Sequence, residues 1–158
     1  MTVKEAFTAD EWRTVGAAPF LVGLYMVAAA PSGPIHVVTE MLTAEKALTL
    51  EASRPDALPI VREIEADLLA GVLIRDLGLI DAGADSQARV LEELARAVAL
   101  VAQKAPAMDS AFRAWLYREA QRLARVATDT AAPGPARVLS DGETAALAAL
   151  AATLGVPR

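Results

Sequence analysis

Apolar residues in this chain recur every third or fourth position and almost never alternate, and prolines and glycines cut that pattern into short lengths. Period three-to-four spacing is the mark of helices with one buried face, whereas strands alternate with period two. The best strand candidate, Ile35-His36-Val37-Val38-Thr39, follows Pro34 and runs straight into a helical pattern. The expected fold class is therefore all-α: a compact bundle of six to seven helices. With 158 residues it should form one domain, 1–158, large enough to bury a core without staples.

The punctuation sets the expected helices. Thr8-Ala-Asp-Glu11 reads as a capping box, in which the hydroxyl and the carboxylate each satisfy an unpaired backbone N–H, and predicts a short helix over 9–16. Pro19 lacks an N–H and disfavours a helical residue before it, so a second helix is expected over 18–30, with Pro19 in its first turn. It is apolar all round and should be central. After Pro31-Ser-Gly-Pro34 a third helix is expected over 36–53, and after Arg54-Pro-Asp-Ala-Leu-Pro59 a fourth over 59–77, with Ile60, Ile64, Leu68 and Val72 inward and Gly78 as its cap. A fifth is expected over 86–104, with Val90, Leu94, Ala97, Val98 and Val101 on one face and Pro106 as its stop. A sixth, over 110–129, is capped by Asp109 or Ser110. Ser140-Asp-Gly-Glu143 is a second capping box and opens the last helix, 141–154, which Gly155 and Pro157 end.

The chain has no cysteine, which excludes disulfides, thiolate metal sites and a cysteine nucleophile. The first ten residues carry Lys4, Glu5 and Asp10 and lack the apolar core of a signal peptide. Both observations point to the cytoplasm. Arg outnumbers Lys twelve to three in an Ala-rich chain, a bias associated with GC-rich bacterial coding. The apolar run Val15–Ala30 is shorter than the roughly 20 residues that span a bilayer and has no flanking basic cluster, so a core helix is expected in preference to a membrane segment. The net charge of −5 is uneven, −7 over residues 1–85 and +2 over 86–158. An acidic total argues against binding a phosphate backbone, so no nucleic-acid partner is expected.

No phosphate-binding glycine loop, dinucleotide fingerprint or nucleophile elbow is present. His36 is the only histidine and pairs with Glu40 at i, i+4, too few nitrogen ligands for a zinc or di-iron site. Glu63 and Asp67 share a helix face beside Glu65 and Arg62, where the alternatives are a hard-cation site and a solvated acidic face. Arg118, Arg122 and Arg125 form a basic stripe at i, i+4, i+7, either a partner or anion site or a salt-bridged outer face.

Two stretches echo one another, suggesting two pseudo-repeated helical halves. Tyr25-Met-Val-Ala-Ala-Ala30, a Pro-Ser-Gly loop, Glu40, Ala44, Ala47 and Leu48 parallel Leu123-Ala-Arg-Val-Ala-Thr-Asp129, a Pro-Gly-Pro loop, Ser140, Glu143, Leu147 and Leu150. This C-terminal pattern, with Leu154-Gly155 at its end and the opening Glu11-Trp12-x-x-Val15-x-x-Ala18-Pro19, resembles the TerB-like (tellurite-resistance TerB) helical domain family. The resemblance implies a single TerB-like all-helical domain acting as a non-catalytic interaction module in a bacterial stress or envelope-associated response, with a protein partner. It also implies an alternative, a divalent-cation or small-ligand binding protein. Asp129, Glu143 and Glu40 match the family's acidic positions and would hold the cation. The remaining position falls among Ala29, Ala30 and Ser32, so part of one site is missing. A homodimer through an Ala/Leu face of the last helix is a further expectation.

Overall fold

The structure, a computed structural model, describes residues 2–29, 45–73, 86–130 and 139–158, without the side chains of residues 86 and 126–130. Six helices pack around one core, and no strand occurs among the described residues. They are α1 (Ala9–Ala29), α2 (helical over residues 45–52), α3 (Pro59–Leu69), α4 (Ser86–Lys104), α5 (Pro106–Thr130) and α6 (Asp141–Leu154), preceded by a single 3-10 turn at Lys4–Ala6. The all-α expectation holds. The loops and helix starts expected between residues 30 and 44, with the strand candidate, His36 and Glu40, lie outside the described residues, so the first of the two proposed halves cannot be laid over the second.

Helix α1 starts as a capping box. Thr8 N–H donates to Glu11 Oε2 at 2.8 Å, and Glu11 N–H donates to Thr8 Oγ1 at 3.2 Å. The expected break at Pro19 is absent: one helix of 21 residues runs through it. A mid-helix proline costs about 3 kcal/mol in isolation. Here Val15, Ala18, Phe20, Leu21 and Val22 beside it are buried, and their burial outweighs the lost hydrogen bond. α1 is long and apolar enough to cross a membrane by composition, and 67% of its most apolar stretch is buried inside the bundle. It packs on α4, α5 and α6, most extensively on α4.

The α2–α3 turn is held by its own side chains. Ser53 Oγ donates to Thr49 O at 2.7 Å, and Arg62 Nη2 donates to Arg54 O and Pro55 O at 2.8 and 2.9 Å. Pro59 opens α3 at the position where a missing N–H costs nothing. α3 buries Ile60, Val61 and Ile64 and then stops at Leu69, eight residues before the expected end. Gly71, at φ 71°, takes the left-handed conformation that ends the helix, so the cap expected at Gly78 is supplied earlier. Val72, expected inward, is exposed.

α4 has the expected bounds and buries the expected face, Val90, Leu94, Ala97, Val98 and Val101. Pro106 both ends α4 and begins α5, four residues before the expected start, because a proline fits the first turn of a helix. α6 also has the expected bounds. Its N-cap Ser140 and Glu143 form the reciprocal box, and Gly155 at φ 66° ends it. The α6 residues Leu147, Leu150, Ala151 and Leu154 are buried within the bundle.

Gly142 marks a close approach. A Cβ there would lie 2.7 Å from the carbonyl oxygen of Ala29, so the start of α6 abuts the end of α1 with no room for a side chain.

Candidate interaction groove

The expected acidic and basic candidates are best judged by what their charged atoms touch. Glu143 is buried, and its carboxylate accepts from the Ser140 N–H and Oγ, both at 2.9 Å. That carboxylate caps α6. The side chain of Asp129 and the whole of Glu40 lie outside the described residues, so their convergence with Glu143 is not part of the observed geometry. Among the described residues no three His, Asp or Glu side chains converge as metal ligands would.

Glu63 and Asp67 turn their carboxylates to donors within the chain. Glu63 accepts the backbone N–H groups of Val3 and Lys4 at 2.9 and 2.7 Å. Asp67 Oδ2 accepts from Trp12 Nε1 at 2.8 Å and pairs with Lys4 Nζ at 2.6 Å. The two acids of α3 thus pin the N-terminal turn and the start of α1 to the bundle. Phe7 packs against Trp12 in the same anchor, with ring centroids 5.6 Å apart and planes tilted by 43°.

The arginine stripe divides. Arg122 Nη1 pairs with Glu119 Oε1 at 3.1 Å, and Glu119 is buried. Burial pushes the Glu119 carboxyl above its ordinary value; Arg122 opposes that shift, the negative charge of Glu51 on α2 adds to it, and Arg118 opposes it. Glu51, itself buried, lies 3.8 Å from Arg54 and 3.9 Å from Arg118. Arg118 remains 54% exposed. Arg125 is exposed further along α5.

Arg118 borders a groove of about 610 Å³, open along one side, between the first half of α5 and residues 155–158. Two rows of α5 line it: Asp109, Arg113, Tyr117 and Gln121 at successive i, i+4 positions, and Ser110, Ala114 and Arg118 beside them. The opposite wall is the turn after α6, from Gly155 to Arg158. Arg113 ties the walls together. Its Nε donates to Asp109 Oδ1 at 2.6 Å, its Nη1 to Leu154 O at 3.0 Å, and its Nη2 reaches Val98 O at 3.5 Å. A guanidinium at the end of α6 also meets the partial negative charge of that terminus.

The sequence reading singled out Arg118 but not Arg113, Tyr117 or Gln121. The signal was there in the i, i+4 polar rows of α5; what the sequence lacked was any statement that the chain after Gly155 would lie against them.

No family model matches this chain, and no curated protein or solved structure matches it either.

Proposed function

We propose that this chain is a non-catalytic helical interaction module of the cytoplasm, TerB-like in type, and that it binds another protein chain through the groove between α5 and the turn after α6. The observation that carries the reading is the groove itself: an open, part-apolar, part-charged concavity on a scaffold that Arg113 fixes by contacts to three helices. Rigid walls lower the ordering cost of binding. Tyr and Arg, the residue types at its centre and rim, are those over-represented among residues that dominate protein interfaces. The pattern shared with TerB-like domains supports the same reading and would set the module in a bacterial stress or envelope-associated response.

The carboxylates support it from the other side. Of the carboxylates that stood out as candidate ligands, Glu63, Asp67 and Glu143 are engaged in holding the bundle's own backbone and indole N–H groups. The test is affinity capture from bacterial lysate with the wild-type chain and with Ala114→Trp, which fills the groove. A protein recovered by the first and lost from the second is the expected result. Identical recoveries with both would reject the groove as the working surface. Elemental analysis of chain purified without chelator tests the cation alternative directly.

A further inference from the structure

We infer that the contact between α2 and α5 is a pH-sensitive clasp: it holds α2 down at acid pH and lets it open as pH rises, when the buried carboxylates of Glu51 and Glu119 carry like charges together. The clasp is independent of the groove and of what binds there.

Glu51 stands on α2 and Glu119 on α5, and their side chains are only 9% and 6% exposed. Arg118 joins the two helices: it precedes Glu119 on α5, and its Nη2 lies 3.9 Å from Glu51 Oε1. Two acids are thus packed into one helix contact beside three half-exposed guanidiniums, those of Arg54, Arg118 and Arg122. The pairing is unequal. Arg122 meets Glu119 at 3.1 Å, whereas Arg54 and Arg118 stay 3.8 and 3.9 Å from Glu51, beyond hydrogen-bond reach.

A second like charge in one buried contact is disfavoured, because water screens neither charge there. Glu119 shows this directly. Burial raises its carboxyl, Arg122 opposes the rise, Glu51 adds to it and Arg118 opposes it. The proton is therefore held more tightly with the contact closed, and losing it favours the open form.

The charged groups on the other helices that pack on α5 are engaged elsewhere or exposed. Asp10 of α1 pairs with Arg13, and Glu11 of α1 with Lys104 of α4. Glu93 of α4 pairs with Arg96, and Glu143 closes the capping box of α6. Arg89, Glu92 and Asp141 are exposed. Burial raises the phenol of Tyr25 on α1 above its ordinary value of 10, so it stays neutral throughout. Asp109 and Arg113 of α5 pair with each other. On α2 and α5, Glu45, Lys46 and Arg125 lie more than a turn from Glu51 and Glu119 in sequence.

α2 is also the element with least apolar grip. Over its described residues it buries Ala47, Leu48 and Ala52, a single large side chain between two alanines, where α4 buries Val90, Leu94, Val98 and Val101. Elements with few buried apolar contacts open locally before the whole fold does.

The test is hydrogen–deuterium exchange of the full chain, read by mass spectrometry on peptides covering residues 45–52 and on peptides from α4 and α6. Wild type is compared with Glu119→Gln at each pH from about 4 to about 8, so that the chemical exchange rate cancels. The ratio of exchange in residues 45–52 should rise at least about threefold with pH, while α4 and α6 stay level. Glu51→Gln, measured against its double with Glu119→Gln, should move the rise to lower pH and shrink it. Arg122→Gln, measured in the same way, should move it to higher pH. A ratio independent of pH overturns the proposal, as does a rise shared equally by α4 and α6. So do Glu51→Gln and Arg122→Gln shifts in the same direction. Carbon-13 NMR titration of the Glu119 carboxyl checks the coupling without Glu119→Gln: its midpoint should lie above 4.5 in wild type and fall in Glu51→Gln. A midpoint at or below 4.5, or one that Glu51→Gln leaves in place, also overturns it.

Discussion

Asp67→Ala should destabilise the fold by about 2–3 kcal/mol, a large effect for one acid, whose side chain is 17% exposed. Trp12 is 2% exposed, and its Nε1 donates to Asp67 Oδ2 at 2.8 Å. A hydrogen bond to a charged acceptor contributes about 1.5–3 kcal/mol, and a buried donor left without a partner costs about 1–3 kcal/mol. The same oxygen pairs with Lys4, whose side chain is 41% exposed, so that pair adds at most about 1 kcal/mol. The two contributions share one atom and are not simply additive. Asp67→Asn keeps an acceptor for the indole and loses only charge, so its cost should stay near 1 kcal/mol. Urea unfolding followed by far-UV circular dichroism measures both. A double-mutant cycle with Trp12→Phe isolates the indole–carboxylate bond, because the packing lost with the indole cancels around the cycle. A coupling of about 1.5 kcal/mol or more is expected. A coupling below about 0.5 kcal/mol would refute the assignment of this contact as the anchor of the N-terminal turn.

Ser140→Ala should cost about 1 kcal/mol, read from the urea midpoint, because it removes the N-cap acceptor of α6. Gly142→Ala should lose about 1–2 kcal/mol despite the better helix propensity of alanine, because its methyl would meet a backbone oxygen, whereas Gly16→Ala meets only the end of the Leu73 side chain and should stay within about 1 kcal/mol of wild type. Glu119 holds its proton in the native state to higher pH than in the unfolded chain, so its contribution to stability is full below the unfolded value near 4.5 and is lost as pH rises through the raised native value. The melting temperature of wild type relative to Glu119→Gln, measured from about pH 4 to about pH 8, should therefore fall with rising pH.

The helix bounds that agree with the sequence are those with a local stop at each end. α4 runs into Pro106, and α6 lies between a complete capping box and a glycine that takes positive φ. The misplaced bounds are those where a local signal competes with something distant. Pro19 is a sound breaker by its own chemistry, yet the residues around it fill the centre of the bundle, and only the packed structure shows how much burial a break would forfeit. Gly71 and Gly78 are equally able to end α3, and the apolar spacing through Leu68 and Val72 favours the later one; the left-handed turn occurs at the earlier. The candidate site divides in the same way. The i, i+4 rows of α5 can be read from spacing, as can the exposed stripe beginning at Arg118. That residues 155–158 lie against those rows depends on where α6 ends in space, and on the Arg113–Leu154 contact that links residues 41 positions apart. The anchoring of the N-terminal turn by Glu63 and Asp67 is likewise a contact between segments, and i, i+4 spacing on α3 says only that the two acids share a face.

How the carboxylates are spent bears on what kind of surface the chain presents. An acidic sequence invites a search for cations, and three of the acids that attracted it, Glu63, Asp67 and Glu143, are internal acceptors, as is Glu11. Glu11 and Glu143 close capping boxes, Glu63 holds two backbone N–H groups, and Asp67 holds an indole. Asp109 is paired with Arg113. Each of these acids offsets the desolvation of a donor that helix ends or packing would otherwise leave unpaired. The arginines behave differently. Arg113 and Arg62 act as struts through backbone carbonyls, and Arg118, 54% exposed, lies 3.9 Å from the buried carboxylate of Glu51. The sum of −5 therefore says little about what the surface offers, because many of these charges are spent on helix ends and packed donors inside the bundle.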